Sequence, residues 1–381
     1  MIPLDKIAEN MLHARIPQAH SARHAAWASM IAEKIEDAQP GSRQAPLLTL
    51  SDKGLNEETG LNAEYYMMLK PEILDLRAGV KVRCALTEVF TCLEKHGCLV
   101  TRAVLLSADG AEGIEVIRRQ YFVLDRVAEA GLHALPSDVH ASSLEICAER
   151  HPQAHIISAR QSMRELTIND AAHLRHEWDR QGGFKIGPGI YGCQLDTNNP
   201  ALMVLNGFYL AQFASLTREG GYLLLLTVSG HYPLAKFRAE VVGDIDPATA
   251  RLGSIRRELH RQRAALGLTD VSIANNAIHV APNSFDAMSG IGLAARLSGD
   301  SLGIETSRFW SLVVATEPAL ASLLRAYADF RAIVTPLQLH LHMHTENMEP
   351  HECIAVLRKL RCLTELLPTP IVNEPELEGR S

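Results

Sequence analysis

The sequence predicts an α+β fold, and three observations carry that expectation. Over 63–132, strand-length apolar runs alternate with helical periodicity: strand at Tyr65–Leu69, helix at Val82–His96, strand at Cys98–Ser107 and helix at Gly113–Ala130. Over 204–312 the alternation returns, with a helix at Phe208–Thr217, a buried strand at Tyr222–Val228, a helix at Ser254–Leu266 and a short strand leading to His279. Composition is the third: hydrophobic residues make up 47% and charged ones 21%, the balance of a soluble globular chain with a sizeable core. Alternation of this kind suggests a sheet covered by helices on one face.

Several function classes are excluded or made remote by the same composition. No segment approaches the roughly 20 apolar residues that a membrane helix requires, so no membrane partner is expected. The first residues carry Asp5 and Glu9 and no long apolar core, unlike a secretory signal, so a cytoplasmic location is expected. Seven cysteines, none in a Cys-x-x-Cys spacing, read as reduced and mostly buried thiols. A net charge of −7 argues against a broad nucleic-acid face but suits a small anionic ligand held by a few focused cations.

The outer segments are less informative. Residues 1–62 read as an N-terminal extension with helical patterning through Ala22–Ile35, closed by a polar loop. A helix at Ile168–Arg180, with Thr167 or Asn169 as its cap, precedes a glycine-rich turn, Gly182 to Gly192. That turn could cradle phosphate with Lys185, but it lacks the ending of a P-loop, and tight turns around a short strand are the better reading. Residues 313–381 form a C-terminal extension with a helix at Pro318–Phe330 and the run LQLHLHMH at Leu337–His344. Its alternation reads as a strand with His340, His342 and His344 on one face. Alternate strand residues lie roughly 7 Å apart, too far for three ligands of one ion, so no metal site is expected there.

The chemistry centres on Ser272–Met288, SIANNAIHVAPNSFDAM, an irregular polar loop around His279. Upstream stand YYMMLKPE at Tyr65–Glu72, Gln120-Tyr121, and GDIDPATARLGSIR at Gly243–Arg256. In this order the pieces resemble the nucleoside diphosphate kinase family over about half of the chain. Lys70-Pro71-Glu72 matches the family's Lys-Pro-Asp/Glu step, and Gln120-Tyr121 stands for its His-Tyr step. Gly243, Asp246-Pro247-Ala248 and Gly253-Ser254-Ile255-Arg256 match its Gly, Asn-Pro-Ala and Gly-Thr-Ile-Arg without a gap, and Asn276 to His279 match its Asn-x-Ile-His.

What the resemblance implies is a ferredoxin-like βαββαβ core split by an insertion at 133–203, with halves at 63–132 and 204–312. It implies phosphoryl transfer from ATP or another nucleoside triphosphate, with Mg2+ carried on the nucleotide phosphates, through a phosphohistidine at His279. Lys70 would hold the transferring group, Tyr121 would hydrogen-bond it, and Arg256 would grip phosphate. Asn276 would contact the nucleotide, and Phe208 would stack on the base. Arg238 is nearest to a second arginine of the family, although an ungapped match places Ala239 there. The expected partners are a nucleotide and a small-molecule acceptor that need not be a nucleoside diphosphate, with the chain acting as a homo-oligomer. The sequence departs from the family at Ile245 and at Val280-Ala281-Pro282-Asn283, where only Ser284 could replace a lost serine. Asp286 is the nearest acid for orienting the imidazole. These departures keep a nucleotide-binding pseudoenzyme or a scaffold as alternatives.

Overall fold

The computed structural model describes residues 18–38, 47–52, 61–166, 170–195, 201–328 and 336–364. In chain order the strands are β1 (Leu48–Ser51), β2 (Ala63–Leu69), β3 (Leu99–Ser107), β4 (His155–Ser158), β5 (Phe184–Gly187), β6 (Ile190–Leu195), β7 (Leu202–Leu205), β8 (Tyr222–Gly230) and β9 (Ile278–Val280). The first helices are α1 (Gln18–Asp37), α2 (Val82–Lys95), α3 (Ala111–Gln120), α4 (Phe122–Ala130), α5 (Ser137–Arg150), α6 (Ala159–Glu165), α7 (Ala171–Gln181) and α8 (Tyr209–Leu216). Then come α9 (Ile255–Arg261), α10 (Arg263–Leu266), α11 (Ser284–Leu297), α12 (Arg308–Thr316), α13 (Ala321–Ala328), α14 (Pro336–His344) and α15 (Pro350–Thr364).

Two sheets organise the chain. The larger has the order β1-β3-β8-β2-β9 with every neighbouring pair antiparallel. One of its two edge strands, β1, comes from the N-terminal segment, which is therefore part of the sheet and not an appendage. Helix α1 joins the same core because Trp27, Ala28, Ile31, Ala32 and Ile35 recur at helical spacing and are buried. The smaller sheet, β4-β7-β6-β5, is built within the inserted segment and ends at Leu205, two residues beyond the boundary read from sequence.

Helices cover both faces of the larger sheet, not one. Tyr65, Met67 and Leu69 of β2 pack toward α1, α2 and α9, whereas Tyr66 and Met68 pack toward α3, α8 and α11. The run YLLLLTVSG of β8 carries the signal: a strand with apolar residues at successive positions is buried on both sides. Burying one such leucine contributes about 1.5–3 kcal/mol.

Other elements differ locally from the sequence reading. The helix expected at Gly113–Ala130 breaks at Tyr121, whose backbone leaves helical values at φ −119° and ψ 22°. The Ser254–Leu266 helix likewise divides at Gln262. Helix α7 is capped by Asp170, which accepts from the His173 amide at 2.7 Å; Thr167 and Asn169 lie outside the described residues. The glycine-rich turn is a hairpin, β5 paired with β6.

The largest correction is Leu337–His344, which is the helix α14 and not a strand. The run contains no β-branched residue, and Pro336 stands at the first helical position, where its missing N–H goes unmissed. Leu and His alternating by two satisfy a strand pattern, but a 3.6-residue period lets Leu339 and Leu341 be buried as well. The three histidines consequently part company, with His340 and His344 one turn apart and His342 on another side.

Candidate functional site

One cavity of about 420 Å³ opens between the two sheets, within the roughly 300–1,000 Å³ typical of small-molecule sites. Lys70, Tyr121, Phe208, Arg238, Arg256, Asn276 and His279 all line it. These are the seven positions singled out from sequence, and Lys70 and His279 meet there from far apart in the chain.

Register explains the placement of His279. In β9 it lies opposite Met68, while its neighbours Ile278 and Val280 are buried in the core on the other face of the sheet. Alternation therefore presents His279 toward α3 and α4. The ring is held there by Gln120, with His279 Nε2 and Gln120 Oε1 3.1 Å apart, and lies 4.7 Å from the Tyr121 ring. With Gln120 accepting through Oε1, the proton sits on Nε2 and the Nδ1 lone pair is left for chemistry. Burial, reinforced by Lys70, Arg238, Arg256 and His342, holds the imidazole well below its usual titration range. At neutral pH it is a neutral imidazole among cations.

The backbone before it is strained. Ala277 takes φ 67°, in the left-handed region that residues with a Cβ avoid, and the Ile278 amide donates to the Asn276 carbonyl at 2.8 Å. This three-residue turn is fixed on both sides, since Lys70 N–H donates to Ala277 O at 2.9 Å and Ala277 N–H to Glu72 Oε1 at 3.1 Å. A strained residue next to a reactive one persists only where its surroundings over-determine it.

The cations are buried and differently engaged. Lys70 Nζ donates to Asn276 Oδ1 at 2.6 Å and lies 3.9 Å from Glu72; burial lowers it to about 8. Arg256 donates to the carbonyls of Asn276 (3.2 Å), Gly243 (2.8 Å) and Ile278 (2.6 Å), and burial lowers it to about 10. Three of its five N–H groups are thus committed and two remain. Gly243 makes this approach with φ 97°, and a Cβ there would meet Ser254 Oγ at 2.5 Å. Arg238 projects from the π-helical turn Phe237–Val242, pairs with Glu346 at 3.7 Å and also donates to Asn347.

The opposite wall comes from the insertion and from Phe208 just beyond it, and is aromatic. Phe208 packs against Trp178 and Tyr191 at 5.3 and 5.6 Å, and Arg175, Gly189 and Tyr191 complete the lining. Lys185 is absent from the lining and paired with Glu346 at 2.9 Å, whereas Gly183, Pro188 and Gly189 of the same turn reach the cavity. Ser284 lines a different cavity, and Asp286 orients another residue, His342, with Oδ2 and Nδ1 2.7 Å apart.

Gln120 and His342 are among the lining residues to which the sequence pattern assigns no role. Gln120 was visible as half of the Gln-Tyr step, but its contact with His279 needs the α3–α4 break. His342 was assigned to a strand face with its neighbours. Away from the cavity, Asp138, His340 and His344 bring ligand atoms within 4.8 Å of one another, an arrangement that depends on α14 being helical. Among the described residues no helix is long and apolar enough to cross a membrane. Comparison with family models, with curated proteins and with solved structures finds no match to this chain.

Proposed function

We propose that the chain is a phosphotransferase that moves the γ-phosphate of a nucleoside triphosphate through a phosphohistidine at His279 to an acceptor. The observation that carries this reading is a neutral imidazole, its tautomer set by Gln120, facing a cavity with Lys70, Arg238 and Arg256. A neutral nucleophile among three cations is suited to a polyanionic electrophile. The strand order supports the same reading: without β1, the strands β2, β3, β8 and β9 run 4-1-3-2, the antiparallel order of a ferredoxin-like βαββαβ core.

In the proposed reaction, Nδ1 of His279 attacks the γ-phosphorus and the bond to the β-phosphate oxygen breaks. Lys70 and the two uncommitted N–H groups of Arg256 stabilise charge on the transferring and leaving oxygens. Mg2+ would arrive on the nucleotide phosphates and neutralise part of their charge. Phe208, Trp178 and Tyr191 offer aromatic surface to the base.

Incubating the chain with γ-labelled ATP and magnesium tests this directly. An acid-labile, base-stable phosphoprotein that disappears in His279→Gln is expected; no label on the native chain would remove the proposal. A nucleotide-binding protein without transfer is the second reading, favoured by the engagement of Arg256 with three carbonyls, and it predicts ATP binding without label.

A further inference from the structure

We propose that His342, positioned by Asp286, is the base that deprotonates the acceptor, and that the acceptor is therefore an alcohol and not a phosphate. The inference deepens the phosphotransferase reading and rests on it. His342 lines the same cavity as His279, from α14 on the other side. Its ring is built into place: Nδ1 faces Asp286 Oδ2 at 2.7 Å, and Phe122 meets it edge-on at 4.9 Å. Asp286 is itself fully engaged. Tyr327 OH donates to Oδ1, Asn283 Nδ2 donates to Oδ2 at 3.0 Å, and the Asp286 amide donates to Asn283 Oδ1 at 2.9 Å. With Nδ1–H given to the carboxylate, Nε2 keeps its lone pair. The charged or titratable groups acting on this ring are Asp286 on α11, Glu346 just beyond α14 and His279 on β9.

This arrangement has a chemical meaning that depends on the acceptor. A terminal phosphate is already ionised at neutral pH and attacks without giving up a proton. A hydroxyl must lose one, and a base within reach makes it a competent nucleophile. In the second half-reaction the acceptor oxygen forms a bond to phosphorus as the N–P bond to His279 breaks. The electron pair returns to Nδ1 of His279, and the hydroxyl proton passes to Nε2 of His342 and then to solvent. Asp286 acts as a positioning residue, since it touches His342 but does not itself line the cavity.

The experiment uses the full chain labelled from γ-labelled ATP and magnesium, then chased with ADP or with glycerol as the probe alcohol. Glycerol phosphate is expected, formed at a rate that rises with pH as one group deprotonates. His342→Gln, which keeps a donor toward Asp286, should shift the partition of label from glycerol to ADP at least tenfold and flatten that pH profile, a modest share of the roughly 10²–10⁴ a positioned base contributes. Asp286→Asn should move both readouts in the same direction. An unchanged partition and pH profile in His342→Gln, or no glycerol phosphate from the labelled native chain, overturns the proposal. Failure of the native chain to label at all, read before the chase, brings down the underlying phosphotransferase reading with it.

Discussion

The two sheets meet at one cavity, but they bring different physics to it. The five-stranded sheet supplies Lys70, Asn276 and His279 from strand ends, and each is tied by hydrogen bonds to a neighbour. The inserted four-stranded sheet and its flanking helices supply Trp178, Tyr191 and Phe208, which touch through ring faces and edges. Directional contacts fix where charge develops, whereas ring contacts tolerate variation in what they hold. On the proposed reading, the first wall would serve the transfer of phosphate and the second the choice of ligand.

Breaking the charged wall should have the largest effect. Lys70→Met removes a buried charge and leaves Asn276 Oδ1 without its donor. ATP affinity should fall by on the order of 1.5–3 kcal/mol, roughly ten- to hundredfold. Calorimetry with ATP and magnesium measures it, and an affinity within twofold of the native chain would move the phosphate site elsewhere.

The next effect is one of pH. Burial lowers Lys70 to about 8, so the free protein loses this charge as pH rises through that value, while bound phosphate favours the charged form. Affinity is therefore full below about 8 and declines above it, with proton uptake on binding in that region. The sign for folding is opposite: between the lowered value and the unfolded lysine's, the unfolded chain binds more protons, so stability rises with pH. Calorimetry in buffers of different ionisation enthalpy checks the uptake, and a value of zero at pH 8 would contradict it. Labelling of His279, by contrast, should persist below the ordinary histidine value of about 6.5, because burial keeps the ring neutral.

The aromatic wall should yield less. Phe208→Leu is expected to weaken ATP by about 1 kcal/mol while inorganic tripolyphosphate binds within twofold of the native level. Equal losses for both ligands would show that the two walls do not divide the ligand in this way. Smallest of all is Ala277→Gly. Relief of the left-handed strain and the greater freedom of the unfolded glycine chain oppose each other at about 1 kcal/mol each, so thermal stability should change little. Slower labelling without loss of stability would identify the strained turn as a device for aiming His279.

Much of the charged wall was legible because its residues lie in short local patterns, such as Lys70 before a proline and Asn276 three before His279. Sheet register then carries such local order into space. In the second wall only Phe208 was legible, for the converse reason. Trp178 and Tyr191 reach the cavity from a helix and a strand of the smaller sheet, and Gln120 through a helix break at Tyr121 that no glycine or proline marks. At α14 the alternation of Leu and His mimics a strand pattern, and that period groups His342 with the wrong neighbours. Apolar alternation in a run without β-branched residues is weak evidence for a strand.

Arg256 has a consequence outside the cavity. Strand β9 is three residues long and lies at the edge of its sheet, bonded to β2 on one side only. The Ala277 carbonyl and the Ala281 amide turn toward β2, so those of Asn276 and Ile278 face outward. Those two carbonyls are the ones the Arg256 guanidinium holds. It stands where a further strand would dock, and an open edge is a template for pairing with another chain. Replacing Arg256 with alanine should therefore do more than weaken a ligand contact: it bares an edge, and the protein should become prone to strand-mediated self-association.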